Sequence, residues 1–363
     1  MLKWIKKGLI VITWILIVFF GLVLRLYLVR LNDFRLHQAH LIRLEKGYAN
    51  QSITPVDDRL FYDFDLDPSV KLNEIQMLAT HNSYKKKGVL LGKLLVGLGD
   101  SFDEAKALNY GYQSLHDQLM LGIRSFEWDV RLRKTAFELN HVPLVDNSSV
   151  APNFEKALQE MLMFTHHNPN HLPIILLIEI KDDWMILDHA LQTIGLSELK
   201  HLNLIIEQTM GDHVYRPSEM IGDYRSLKEA IQQQGWPSVS ELLGKYLFIL
   251  HPGNKTDLYL SIDPTVFDLV MFPGIYKDRA EEEYAAFVVH NEVDVLSIQQ
   301  LVDQGLIVRT RIDSGLSFDA QRFLLAMESG AQLLTSDFLI GRSDLPIDQV
   351  IYFDGQKTVR KRS

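Results

Sequence analysis

The decapeptide IRSFEWDVRL carries Glu127 and Asp129 two positions apart, alternating with the apolar Phe126, Trp128 and Val130. In a strand, alternate side chains share a face, so the two carboxylates point one way while Phe126 and Trp128 point the other. A second apolar run, PIILLIEIKD, ends with Glu179 and Lys181 on one face, and a third, LIVRTRID, puts Arg309, Arg311 and Asp313 opposite Val308 and Ile312. Ile75–Thr80 runs into His81-Asn82-Ser83, and the stretch from Phe137 ends at His141. Carboxylates gathered in a protein interior cost several kcal/mol each, on the order of 5, unless positive charge sits among them. Glu127, Asp129 and Glu179 with the amide oxygen of Asn82 describe a hard-cation site for Ca²⁺ or Mg²⁺. A salt-bridge network with Lys181, Arg124 and Arg311 is the competing account of the same acids.

Such side chains need elements that end at a common place. Beyond about residue 70, apolar runs alternate with amphipathic helical patterns such as NFEKALQEMLMFTHH and FDAQRFLLAMESG. Expected strands are 75–80, 123–132, 137–142, 174–181, 246–250, 287–290, 307–312 and 332–336. Strands alternating with helices in this number predict a (β/α)₈ TIM barrel, whose chemistry lies at the carboxyl ends of its strands. A doubly wound open sheet is the alternative, but no glycine-rich phosphate fingerprint follows the first strand. His166, His167 and His171 precede a strand, at the opposite end, and read as a solvated helix terminus. His290 ends a strand without a positioned acid and reads as structural.

The 363 residues contain no cysteine, which excludes disulfide scaffolds, thiolate zinc sites and cysteine nucleophiles. The net charge of −9 makes nucleic acid a poor partner. That charge is uneven. Residues 1–43 carry seven basic side chains and Asp33 as the one acid, a net +6, which leaves −15 on the rest. Within this end, Gly8–Leu24 is uncharged and follows Lys3, Lys6 and Lys7. At about 1.5 Å per residue it just spans a hydrocarbon core, and the lysines place the amino terminus in the cytoplasm and the body outside it. The flanking RLYLVRLNDF offers no small-residue cleavage site, which favours an uncleaved anchor over a secretory signal. The expected organisation is an anchor over 1–33, a juxtamembrane linker over 34–68, a catalytic barrel over 69–345 and a solvated basic tail over 346–363.

ATHNSY, LMLGIRSFEWDVR, the His141 segment, LLIEIKD, LIVRTRID and GAQLLTSDF occur in an order that resembles the bacterial calcium-dependent phosphoinositide-specific phospholipase C family. The resemblance implies a PLC-like phosphodiesterase barrel with His81 and His141 as catalytic histidines and Asn82, Glu127, Asp129 and Glu179 as calcium ligands. It implies attack of the inositol 2-hydroxyl on the adjacent phosphorus, with diacylglycerol leaving and a cyclic inositol phosphate forming. Glu127 is then the expected proton acceptor, His141 the general acid and His81 a donor to the phosphoryl group, with Lys181 and Arg311 facing phosphate. The implied partners are a phospholipid and its membrane, with no protein partner. Metal-independent relatives carry an arginine where Asp129 stands, so the acid here favours calcium. Glycerophosphodiester phosphodiesterases share the barrel and the Glu-x-Asp strand, but begin His-Arg-Gly where this chain has His81-Asn82-Ser83. A membrane-anchored lipid-binding barrel without turnover is a further alternative. The segment after Tyr84, apolar through GVLLGKLLVGLG, is longer than the family pattern and reads either as a membrane-dipping lid or as an ordinary packed helix.

Overall fold

The computed structural model describes residues 2–314, 316–342 and 344–362. Eight parallel strands close into a barrel: β1 (Ile75–Thr80), β2 (Ser125–Arg133), β3 (Ile174–Ile180), β4 (Tyr246–Leu250), β5 (Phe272–Ile275), β6 (Phe287–Val289), β7 (Ile307–Arg311) and β8 (Leu333–Ser336). Each pairs with its successor, and β8 returns to β1 through Met77 opposite Leu333. The expected barrel is therefore the observed one, though one of its strands is different. Phe272–Ile275 contains Pro273 and Gly274, residues that punctuate turns in a sequence reading. Gly274 is required there, because a Cβ would lie 2.5 Å from the carbonyl oxygen of Leu250 on the adjoining strand. Conversely, the stretch at 137–142 is not a barrel stave. Ala136–Leu139 folds back antiparallel on the end of β2, pairing Glu138 with Arg131, and leaves His141 on the loop beyond.

The strands are lined by apolar residues because both faces are covered. β3 buries Ile174 to Ile178 without a break, as a strand between a filled barrel and an outer helix must. Trp128 of β2 meets the ring of Phe154 edge-on, which seats the helix Phe154–His167 on the barrel wall. Asn153 starts that helix by accepting a hydrogen bond from the amide of Lys156.

The expected tail and the expected linker both take part in the fold. Val359–Lys361 is not solvated but pairs antiparallel with Ile75–Met77 of β1, and Val359 is buried. In the region read as a linker, Asp58 is buried and ion-paired with Arg124, and it accepts from the amide of Leu172 at 2.7 Å. This closes the base of the barrel and removes Arg124 from any network with the acids at the mouth. His171 is also buried rather than solvated, with Nε2 3.0 Å from Thr165 Oγ1 and Nδ1 2.6 Å from the carbonyl of Leu172. His290 is structural as expected, held by Ser297 and the carbonyl of Glu292.

The first helix, α1 (Leu2–Ala49), is continuous over 48 residues. Its first half is exposed and apolar, and it is long and apolar enough to cross a membrane. Its second half is docked: Leu26, Arg30, Asp33, His37, Leu41, Leu44 and Tyr48 are buried at three- and four-residue spacing. After β1 the segment of uncertain character is helical, α2 (Leu90–Gly99). Gly92 lets it approach the backbone of Val145, where a Cβ would sit 2.0 Å from the carbonyl oxygen. Its other face exposes Leu90, Leu94 and Leu98.

Candidate active site

The carboxyl ends of β1, β2, β3, β7 and β8 bring the expected residues together. Asp129 of β2 and Glu179 of β3 are register partners, and Glu127 lies two residues earlier on the same face. Asn82 follows β1 in a left-handed conformation (φ 48°), which asparagine tolerates better than most side chains. Its Nδ2 donates to the Tyr110 hydroxyl at 3.1 Å, while its Oδ1 is buried without a hydrogen-bond partner. Asp129 is similar: Oδ2 accepts from the Tyr84 hydroxyl at 3.0 Å, and Oδ1 is buried and unpartnered. Each such orphan costs about 1–3 kcal/mol. A cation among them would offset that cost, and three carboxylates with an amide oxygen are the donors a hard cation takes. The residues present therefore fit calcium.

The two histidines are built alike. His81 Nδ1 lies 3.0 Å from Asp337 Oδ1 and 2.9 Å from the Tyr110 hydroxyl, and its Nε2 faces Glu127 at 4.0 Å. His141 Nδ1 lies 3.1 Å from Asp146 Oδ2, and its Nε2 faces Asp129 at 4.0 Å. In both, a buried aspartate orders the ring and turns the other nitrogen toward the acids. Asp146 also pairs at 2.9 Å with Lys85, which is 0% exposed and donates further to the carbonyl of Leu108. Burial raises the carboxyls of Asp146 and Asp337, but Lys85 and His141 in the first case, and His81 and Arg311 in the second, hold them below the usual range.

Charges at the centre are graded. Burial would raise Glu127, but Arg309 in direct contact, with His81 and His251 beyond it, holds it well below an ordinary carboxyl. Asp129 is pushed up to about 6 by burial and the neighbouring Glu179 and Glu127, against Lys181 and His141. Burial would lower Lys181, yet Asp129 and Glu179 raise it above its normal value, and its Nζ donates to Glu179 at 2.6 Å. Arg311 lies 3.4 Å from His81 Nε2 and is held by Asp337 at 3.0 Å. The salt bridges expected as a rival to a metal site thus exist in part, but their partners are Arg309 and Lys181, and two orphaned oxygens lie outside them.

Asp146, Asp337, Lys85, Tyr84, Tyr110 and His251 join the site without having been expected there, and Arg309, expected on this face, is the partner of Glu127. A carboxylate oxygen of Glu127, one of Glu179 and a ring nitrogen of His251 lie within 4.8 Å of one another. His251 directly follows β4, so the strand-end rule that found the others would have found it. Its Nδ1 is 2.9 Å from the carbonyl of Pro252, leaving Nε2 toward the acids. Imidazole is a softer donor than calcium prefers, so His251 reads as a neighbour of the site.

Comparison with known proteins follows the geometry. A search of curated protein sequences finds no significant match. Among solved structures, the chain is similar to a calcium-dependent phosphoinositol-specific phospholipase C from a Gram-negative Pseudomonas species, with TM-score 0.58 and 16% identity over 84% of this chain and 99% of that one. It is also similar to a Ca²⁺-dependent phosphatidylinositol-specific phospholipase C from Streptomyces antibioticus, with TM-score 0.55 and 20% identity over 74% of this chain and 95% of that one. At these identities the likeness carries the fold. The sequence model for phosphoinositide phospholipase C, Ca²⁺-dependent, matches residues 70–132 and 130–363, which spans the whole barrel and the strand that follows it. The chain belongs to the calcium-dependent phosphoinositide phospholipase C family, enzymes that cleave phosphatidylinositol-type lipids.

Proposed function

We propose that Asn82, Glu127, Asp129 and Glu179 hold the calcium ion of this phospholipase C and that His81 and His141 carry its proton and phosphate chemistry. The observation that carries the reading is the paired design of the histidines, each with Nδ1 on a buried aspartate and Nε2 on a carboxylate of the cation cluster. Bound there, calcium would lower the pKa of the inositol 2-hydroxyl and offset charge on the phosphoryl oxygens. His141, ordered by Asp146, delivers a proton from Nε2 to the departing glyceryl oxygen. His81 and Arg311 stand together and donate to the phosphoryl oxygens as charge builds on them. Lys181 adds positive charge on the opposite side, tethered by Glu179. Glu127 takes the proton that the 2-hydroxyl releases as it attacks phosphorus, although contact with Arg309 lowers its basicity.

The substrate is taken from a membrane surface. Leu90, Leu94 and Leu98 of α2, with Trp184 and Ile186 of the loop after β3, are exposed at the rim. The two segments share an apolar groove with Val142 and Val145, which flank the His141 loop. In this reading Gly8–Leu24 is an uncleaved single-pass anchor with a cytoplasmic amino terminus, because α1 passes without a break from its apolar half into its docked half. Signal cleavage requires a small-residue site after the apolar run, and RLYLVRLNDF offers none.

The test is release of inositol phosphate from phosphatidylinositol vesicles with and without calcium, alongside release of glycerol phosphate from glycerophosphodiesters. The expected result is calcium-dependent product from phosphatidylinositol alone, with His81→Ala and His141→Ala each reducing it at least about 100-fold. A rate unchanged by calcium removal would sink the ligand assignment, and no product from either substrate would favour a binding module.

A further inference from the structure

The docked half of α1 has a direction along the barrel. Leu26 accepts through its carbonyl from Asn147, Arg30 pairs with Glu138 on the hairpin beyond β2, and Asp33 pairs with Lys86 and accepts from the amide of Ser149. All of these partners lie at the mouth, on the loops that carry His81 and His141. Further on, Lys156 reaches Gln38, His37 and His40 flank Glu160, and Tyr48 stacks on His167, so α1 descends beside the helix Phe154–His167 from rim to base. Followed the other way, the exposed apolar half leaves the barrel at its active-site end. From Leu24, the last residue of the apolar run, to Asp33 at the rim is about 14 Å of unbroken helix. The helix α2, with its exposed leucines, lies against α1 at the same level.

We propose that α1 is a rigid strut that holds the mouth of the barrel against the leaflet in which the helix is embedded, so that this enzyme takes its lipid in cis, from its own membrane. The inference rests on the reading of Gly8–Leu24 as an uncleaved span and goes beyond it, since an anchor on a flexible tether would leave the mouth free to face any direction. Two separate features agree on the occupant of the rim. The strut brings the outer leaflet to the level of α2, and the surface met there is the exposed apolar row Leu90, Leu94, Leu98 with Phe102, Trp184 and Ile186. The buried ion pair Arg30–Glu138 and the half-exposed pair Asp33–Lys86 fix the helix at the rim itself, so a change in its reach moves the mouth by the same amount.

The test uses the full chain reconstituted in vesicles. Labelled phosphatidylinositol is placed either in the vesicles that carry the enzyme or in enzyme-free vesicles mixed with them. The expected rate is at least about tenfold higher in the first arrangement. A rigid, charged helical insertion of about seven residues between Arg25 and Leu26 lifts the mouth by about 10 Å without changing its facing. It should lower the own-membrane rate about tenfold or more, while a Gly/Ser insertion of equal length, which lets the domain settle back, retains most of it. A water-soluble inositol phosphodiester reports the folded site and should be turned over equally by all three proteins. Equal rates in the two vesicle arrangements, or a rigid insertion without effect, overturns the strut while leaving the anchor intact. A chain that an alkaline wash strips from the vesicles overturns the anchor and the strut together.

Discussion

Asp146 supports a buried ammonium group and a catalytic imidazole at once, and separating its two duties tests how the site is built. Asp146→Leu leaves Lys85 charged and fully buried with only the carbonyls of Leu108 and Tyr110, at 2.7 and 3.3 Å, and the face of the Tyr110 ring at 4.8 Å to solvate it. Removing one partner of a buried ion pair costs about 3–5 kcal/mol, and two carbonyls already in place favour the lower end of that range. The same change takes the acceptor from His141 Nδ1, so the ring is no longer ordered and kcat should fall about 10²–10⁴-fold with KM little changed. The double variant Asp146→Leu with Lys85→Met removes both charges, and its stability should return to within about 1.5 kcal/mol of the parent. Its activity should stay as low as that of Asp146→Leu alone. Urea unfolding read beside calcium-dependent turnover distinguishes the two effects. A double variant that regains activity would refute the orienting role, and a single variant of undiminished stability would refute the buried pair.

Other expectations follow from the same contacts. Calcium at about 100 times its Kd should raise the unfolding free energy by about 2.7 kcal/mol, a gain that Asp129→Asn and Glu179→Gln should reduce in thermal melts with and without the ion. Glu160 is wholly buried; burial raises its carboxyl, but hydrogen bonds from His37 and His40 bring it down to about 2. A depressed carboxyl contributes stability that is present above its unfolded value and lost as pH falls through about 2, so α1 should loosen on acidification below about pH 4.5. Hydrogen exchange along residues 34–48 measures this, and Glu160→Gln should show the loosened pattern already at neutral pH. Leu90→Glu with Leu94→Glu and Leu98→Glu should lower turnover of vesicle lipid far more than turnover of a soluble inositol phosphodiester, and equal losses on both would tell against a lipid-facing rim.

Much of the site is local in origin and hence legible. Glu127 with Asp129, and Glu179 with Lys181, share faces because strands alternate with period two, and that periodicity survives any tertiary arrangement. Strand ends could be placed by apolar runs alone, and β1 and β4 have the bounds their sequences suggest. Phe272–Ile275 escaped notice because a proline and a glycine mark a turn unless a neighbouring strand needs the close approach that Gly274 permits. The carboxyl-terminal strand escaped for a related reason: its place beside β1 is set some 280 residues away in sequence.

The sequence by itself determined which residue types stand at the strand ends, that the chain makes a barrel, and that an apolar helix precedes it. Only the tertiary structure decided which charge meets which. Asp337 reaches His81 across 256 positions and Arg309 reaches Glu127 across 182, contacts that exist because the barrel closes and that no local pattern encodes. It alone decided the direction of α1 as well. The docked face of Leu26, Arg30, Asp33 and His37 is not expected of a region that reads as anchor and linker, and its direction from mouth to base depends on Lys86, Glu138 and Glu160 being stacked along one wall of the finished barrel.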